Sequence, residues 1–349
     1  MKKFIALLLA LVMCLALVAC GGTPANDEQN TEENTGSWKI GFSNSQVGNS
    51  WRQQMVAEFE SRAEELVADG TIASYVALNA DGDQAQQIDD IRSLITQGCN
   101  AILVDCITTD GLNDVIEEAY DEGIVVITFD NNCSTDKVTR KISCDNYVYG
   151  TQCGEWLGQQ VEDGAKILVL DGTAGADANE QRHAGMIDGL NKYCKDAEIL
   201  TVLNCDWDYA TAKVAVEQAL SAYPQIDGVL SQGGAMTQGA IDAFAAAGRE
   251  FCPMTGEASN GFIRSWLAHK DEGLTCMAGQ NPCALSAIAL DQAVAALNGT
   301  TYDDINDIME FGIIDESNVM DFYREDLSDS FWCGDTYLSD ETLKEMFGL

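Results

Sequence analysis

The stretch Ile40-Gly41-Phe42-Ser43-Asn44-Ser45-Gln46-Val47-Gly48-Asn49-Ser50-Trp51-Arg52-Gln53-Gln54-Met55 decides the fold. It opens as a short buried strand and breaks at a polar turn. It then continues as a helix with Met55, Val56, Phe59 and Ala63 on one face. In an open parallel sheet, ligands sit beyond the carboxyl ends of the strands, where the next helix presents free N–H groups. Here that corner holds amides and hydroxyls, then an indole and a guanidinium. It reads as a ligand wall and not as a catalytic centre.

The same strand–turn–helix plan recurs along the chain. Strands are expected at 73–78, 101–106, 124–130 and 141–146, and again at 166–171, 198–204, 228–231, 251–257 and 274–278. Helices are expected between them, with 284–297 the last, stopped by Asn298-Gly299. Strict alternation with short connections makes parallel sheets covered by helices on both faces. The units outnumber what one small doubly wound domain holds. A (β/α)₈ barrel is the alternative. Against it stand the weak repeat of two similar runs, the fresh start after 141–146, and one more strand-like piece at 308–314. The expected class is therefore α/β, with two similar doubly wound parallel-sheet domains.

The ends carry addresses. Met1-Lys2-Lys3 and the apolar run from Phe4 to Ala19 form an export signal, short for a membrane span and without stop-transfer charges. Leu17-Val18-Ala19-Cys20-Gly21 resembles the lipobox of bacterial lipoproteins. The resemblance implies cleavage before Cys20, acylation of its thiol and anchoring in membrane lipid without spanning. Residues 21–36 have no apolar periodicity and read as a flexible tether. The segments are then 1–19 signal and 20–37 lipidated cysteine and tether, with the folded part starting near Trp38.

The chain has 19 Lys+Arg against 56 Asp+Glu, a formal charge of −37. That balance repels phosphate backbones, so nucleic acid is excluded as a partner. Of 13 cysteines, Cys14 leaves with the signal and Cys20 is the lipid site. The rest are odd in number, there is no CxxC, and His183 and His269 are the only histidines, so no metal-ligand pattern exists. The better disulfide candidates are Cys133 with Cys144 and Cys252 with Cys276. Buried free thiols in an organism from a reducing habitat are the preferred reading. G-x-S-x-G and phosphate-loop motifs are absent, and Gly172-Thr173-Ala174-Gly175-Ala176 lacks the spacing of a nucleotide loop. No cofactor and no catalytic residue are expected.

Taken in order, Ile40-Gly41-Phe42-Ser43, Asn49-Ser50-Trp51, Val126-Ile127-Thr128-Phe129-Asp130-Asn131, Ser143-Cys144-Asp145-Asn146, Gly185-Met186 and Gln280-Asn281-Pro282 resemble the ribose-type periplasmic sugar-binding proteins. Relatives of these are the substrate-binding lipoproteins of ABC importers in Gram-positive bacteria. The resemblance runs from about Trp38 to Tyr323. It implies two α/β domains joined by a three-strand hinge (the type I periplasmic binding protein fold), with the ligand in the cleft. The domains would be 38–143 plus 281–310 and 144–280 plus 311–349.

The resemblance also implies site residues. Asn49 and Trp51 resemble the first domain's polar group and stacking aromatic. Arg52 stands where a second aromatic is common. Asp130 resembles the carboxylate that takes two sugar hydroxyls, and Asn131 stands where an Arg is common. Arg182, Trp207 and Gln280 resemble the second domain's Arg, its aromatic, and the amide near the crossing. Gly233, Gly234 and Ala258 replace side chains expected there, which would leave room for a larger sugar. Glu257, Asn260 or Asp177 could substitute. Each residue also has a plainer reading: Trp51 as core, Asp130 as a helix cap or turn, Arg182 as half of a surface ion pair.

A sugar has apolar C–H faces and rings of hydroxyls, which suit an indole with Asp, Asn, Arg and Gln around it. The expectation is an extracytoplasmic substrate-binding lipoprotein of an ABC importer, held on the outer face of the cytoplasmic membrane. It would bind a sugar or sugar-like polyol and dock a membrane permease. The alternative is a subunit that presents ligand to a membrane receptor or histidine kinase. The aromatic segment 317–349 is expected to pack on the second domain along the hinge.

Overall fold

A computed structural model describes residues 38–349. The export signal, Cys20 and the tether lie outside the described residues. The first half of the chain is β1 (Lys39–Asn44), α1 (Ser50–Ala68), β2 (Ser74–Asn79), α2 (Gln84–Thr96), β3 (Ala101–Val104), α3 (Asn113–Asp121), β4 (Val125–Phe129) and β5 (Arg140–Cys144). The second is α4 (Asn146–Gln160), β6 (Lys166–Asp171), α5 (Asp177–Tyr193), β7 (Glu198–Asn204), α6 (Tyr209–Ala222), β8 (Gly228–Ser231), α7 (Gly234–Ala247), β9 (Met254–Glu257), α8 (Asn260–His269) and β10 (Cys276–Gln280). Then come α9 (Leu285–Leu297), β11 (Asn306–Met309), β12 (Gly312–Ile314), α10 (Val319–Phe322) and α11 (Asp340–Phe347).

Two sheets result, ordered β11-β5-β4-β3-β1-β2 and β12-β10-β9-β8-β6-β7. The β1, β3 and β8 runs are apolar because helices cover both faces; β3 and β8 are buried throughout. Every pairing is parallel except β10 with the edge strand β12, which is antiparallel. The fold is therefore two parallel-sheet α/β domains. The expected single strand at 308–314 is two short strands in different sheets, broken at Glu310-Phe311. The chain passes between lobes three times: at Asp145, at 281–284 and at 310–311.

Two helices of the second lobe touch backbone to backbone. A methyl group at Gly150, Gly154, Gly185 or Gly189 would overlap a main-chain carbonyl of the facing helix, α5 or α4. Only hydrogen fits along this seam. Opposite Gly150 is the carbonyl of Arg182, so the seam also sets where that residue stands.

All eleven described cysteines are free and buried, as in the preferred reading, and neither candidate pair is bonded. Burial pushes the thiols of Cys144, Cys153, Cys205, Cys252 and Cys333 up to about 12. Cys133 goes the other way, to about 7, because its sulfur accepts a hydrogen bond from Cys106. Limited alkylation with iodoacetamide followed by peptide mapping should therefore label Cys133 first, with a rate that rises through about pH 7. Earlier labelling at any other cysteine would contradict this ranking.

Candidate functional site

In a parallel sheet all carboxyl ends fall on one edge, so each lobe gathers its strand-terminal polar residues there. In the first lobe these are Ser45 after β1, Asp105 after β3, and Asp130 and Asn131 after β4. Arg52, in the first turn of α1, lies between the two carboxylates. It is ion-paired to Asp105 and its Nη2 is 3.1 Å from Asp130 Oδ2. Asn131 Nδ2 donates to Asp105 Oδ1 and to Asp130 Oδ2, both at 3.2 Å, and Ser45 Oγ donates to Asp105 Oδ2 at 3.1 Å. Asp105 is fully buried, whereas Asp130 keeps 22% of its side chain exposed. Burial pulls the Arg52 guanidinium down, against the opposing pull of Asp130. Asp130 has a left-handed backbone, φ 57°, which turns its carboxylate out of the strand line.

The second lobe supplies Asp171 after β6, Gln232 after β8, Glu257 ending β9 and Gln280 ending β10. Arg182, from α5, reaches over them. Its Nη1 donates to Glu257 Oε1 at 2.6 Å and to the Gln232 carbonyl at 3.2 Å, and its Nε donates to Asn146 Oδ1 at 2.8 Å. Its guanidinium also lies 5.0 Å from the Tyr149 ring and 5.7 Å from the Phe311 ring. Burial would lower the Arg182 pKa, but Glu257, Tyr149 and Asp130 outweigh it and hold the cation firmly charged. Burial raises Glu257; Arg182 and a hydrogen bond from Asn281 oppose that rise. Asp130 belongs to the other sheet, yet its charge acts on both Arg182 and Glu257, so the two edges face each other.

Beside this pair is a second polar group. Asp171 lies 2.8 Å from His183 Nδ1 and accepts from Gln232 Nε2 at 2.9 Å. Gln232 Nε2 also donates to the Asn179 carbonyl at 3.1 Å, which fixes the amide's orientation. Burial raises the Asp171 carboxyl, with His183 opposing.

The candidate residues thus fall into distinct environments. Arg52, Asp130 and Asn131 form one cluster, and Arg182 faces it. Asn49 caps α1, its Oδ1 accepting from Arg52 N at 2.9 Å, and holds that helix end in register. Trp51 is 6% exposed; its ring packs in the core and its Nε1 donates to the Asn281 carbonyl at 3.0 Å, at a crossing between lobes. Gln280 stands opposite Gly312, where any side chain would overlap its amide. Trp207 lies across Gly172 and Gly233: a Cβ at Gly172 would overlap the ring, and one at Gly233 would sit 2.8 Å from Cδ1. Asp206 and Trp207 are both left-handed, φ 53°, to place it there.

The glycines therefore carry a different meaning from the one expected. The space at Gly233 is filled by the Trp207 indole. At Gly234 a Cβ would overlap the Glu257 carbonyl, so glycine there permits close packing. Ala258 is buried, with its carbonyl accepting from Cys333 N at 2.8 Å. Asn260 is spent on main chain, donating to the Arg324 and Leu327 carbonyls at 2.8 Å each. Glu257 reaches the site, and the Asp177 side chain lies outside the described residues. Asp105, Asp171, Gln232, Tyr149 and His183 were missed. Position at a strand's carboxyl end was the available signal for the first three.

No cluster of His, Cys, Asp and Glu suited to a metal occurs among the described residues. Two surface depressions, of about 300 and 370 Å³, lie away from the strand ends, near Thr275 and Asp315 and near Trp266 and Met320.

Two lobes crossed three times, with polar strand ends facing each other, define the class of bilobal ligand-binding proteins. The chain belongs to the periplasmic binding protein domain family, of ribose type, whose family model matches residues 40–301. It is similar to the ribose import binding protein RbsB of Bacillus subtilis (strain 168), 24% identical over 300 residues, 86% of this chain and 94% of that one. It is also similar to the xylitol-binding protein of Mycolicibacterium smegmatis, 28% identical over 179 residues, 51% of each chain. Among solved structures, an ABC transporter solute binding protein from Thermobispora bispora superposes with a TM-score of 0.70 at 26% identity, covering 81% of this chain and 87% of that one. The fructose binding periplasmic domain of hybrid two component system BT1754 gives 0.67 at 23%, covering 81% and 92%.

Proposed function

We propose that this chain is the extracytoplasmic substrate-binding lipoprotein of an ABC importer and that it holds a sugar or sugar-like polyol between its lobes. The observation that carries this reading is the buried Arg182–Glu257 pair facing the Arg52–Asp105–Asp130 cluster. Charged groups so placed find hydroxyl partners without new desolvation, and Trp207 offers a ring for a C–H face. Carboxylates outnumber guanidinium groups around the cleft, which favours a neutral ligand over an anionic one. The relatives named for ribose and xylitol bind ligands of the same class.

The ligand contacts are Asp130, Asn131, Arg182, Trp207 and Gln280, with Arg52, Asn49 and Trp51 positioning the first wall. A ligand that touches both walls binds the closed form better and shifts the population toward it. The moving bodies are residues 38–143 plus 281–310 and 144–280 plus 311–349. Acylation at Cys20 keeps the protein on the outer face of the cytoplasmic membrane of a Gram-positive cell, beside its permease. Its work is binding, not turnover. A ligand-presenting sensor subunit is the second reading, favoured by the likeness to a domain of a hybrid two-component system. Genes for a permease and ATPase, or for a histidine kinase, beside this one would separate them.

The test is a thermal-shift screen of mono- and disaccharides, polyols and nucleosides on protein lacking residues 1–20. A ligand at a hundred times its Kd adds about 2.7 kcal/mol to the folded state, so binding is readily seen. Asp130→Ala should remove the shift. If no sugar or polyol stabilises the protein at millimolar concentration, the carbohydrate reading is wrong.

A further inference from the structure

The segment after β12 belongs to neither lobe alone. Residues 324–331 are fastened to the second lobe. Asn260 side-chain and main-chain groups hold Arg324, Leu327 and Phe331, and Arg264 Nη2 donates to the Leu327 carbonyl at 2.5 Å. Cys333 N then donates to the Ala258 carbonyl at 2.8 Å. The chain next reaches across to α1 of the first lobe. Gln54 takes both main-chain groups of Trp332, Oε1 accepting at 2.9 Å and Nε2 donating at 3.2 Å. Trp332 Nε1 donates to Ser50 Oγ at 2.9 Å. Glu58 accepts from Thr336 Oγ1 and from Tyr337 N, both at 2.6 Å. Tyr337 OH donates to Asp291 Oδ2 at 3.1 Å on α9. The chain then returns: Leu338, Leu343 and Phe347 are buried in the second lobe's core, and Ser328 N donates to the Phe347 carbonyl at 2.6 Å.

We propose that residues 332–337 are a latch, a fourth and non-covalent connection between the lobes, which limits how far the cleft opens. Three observations support it. The loop is clamped to the second lobe on both sides, so it cannot swing away with the first. Its attachment to α1 uses polar groups that are buried, Gln54 and Glu58 among them, and these lose their partners if the lobes separate there. Burial pushes the Glu58 carboxyl up, and hydrogen bonds from Thr336 and Tyr337 of the latch, with a longer one from Gln54 of the same helix at 3.3 Å, oppose that. The latch also lies one helical turn from Trp51, which ties α1 to the crossing at Asn281. It therefore acts near the hinge, where a short contact governs a wide rotation.

This inference rests on the hinged-closure reading, and the experiment separates the two. The full mature chain and its Gln54→Ala/Thr336→Val variant are compared, ligand-free and with D-ribose or D-fructose, by small-angle X-ray scattering and hydrogen exchange. The variant is expected to melt cooperatively, to scatter with a larger ligand-free radius of gyration than the parent, and to exchange the Tyr337 amide about tenfold faster. A variant whose ligand-free scattering matches the parent overturns the latch, whatever the sugars do. A parent that neither sugar compacts, beside a variant that expands, counts against closure by these sugars and leaves the latch standing. If the double variant does not fold, Trp332→Phe, which keeps an aromatic ring and loses only the bond to Ser50, must show the same expansion to a smaller degree.

Discussion

Arg182→Met is expected to lower folding stability by about 3–5 kcal/mol, because it leaves the Glu257 carboxylate buried without its cation. No exposed ion pair in this chain should cost more than about 1 kcal/mol. Glu257 is only 4% exposed, and Arg182 supplies its nearest cation at 2.6 Å. The loss should depend on pH in a defined direction. Burial already raises the folded-state pKa of Glu257, and removing Arg182 raises it further. A carboxyl raised on folding contributes stability that is present below its unfolded pKa and is lost as pH rises through the folded one. Arg182→Met should therefore be milder in acid and worse toward neutral pH. Adding Glu257→Gln should restore most of the stability and none of the ligand-induced thermal shift. Urea unfolding at two pH values decides it: a loss under about 1 kcal/mol at neutral pH would place the pair in solvent.

Gly154→Ala is expected to be the most damaging single-methyl substitution in the second lobe. Helix propensity alone predicts a gain, since Ala is better than Gly in a helix interior by about 1 kcal/mol. The contact decides otherwise. The new methyl would overlap the Met186 carbonyl and stand 2.6 Å from Leu190 N, both main-chain atoms that no rotamer change can move. Overpacking of this kind typically costs about 1–3 kcal/mol, and here two helices must separate. Because Arg182 sits on the helix that must move, affinity should fall along with stability. The same change at Gly70, which has nothing within 4 Å but a φ of +83°, should act through the backbone alone and leave binding unchanged. Thermal melts of both variants, with ligand titrations, make the comparison. A Gly154→Ala protein as stable as the parent would mean the helices have slack.

The alternation of strands and helices was legible because the central strands are short runs buried on both faces and every strand is bounded by turns. The two-sheet division followed from the fresh start after residue 146. The 308–314 stretch misled because a strand-like run carries no mark of which sheet each half joins. On the site, polar residues at strand ends were readable only where the family resemblance pointed. Asp105 and Asp171 each close an apolar strand just as Asp130 does, but neither lay within the matched motifs. Nothing local to α1 says that a segment 278 residues later will cover Gln54 and Glu58. Gly233 and Gly234 read as lost ligand groups because a sequence reports the side chain that is missing and not the neighbour that fills its place.

The placement of β11 and β12 bears on how the chain acquires its fold. β11 completes the first sheet by pairing with β5, and β12 completes the second by pairing with β10. They are neighbours in sequence, near the end of the chain. Neither sheet can gain its last strand until residues beyond 305 are present, so neither half can finish ahead of the other. Pairings of such sequence separation form slowly and late. A chain released progressively through a membrane would stay pliable over most of its length. It would set only when the residues beyond 305 arrive, drawing both halves to completion in one step.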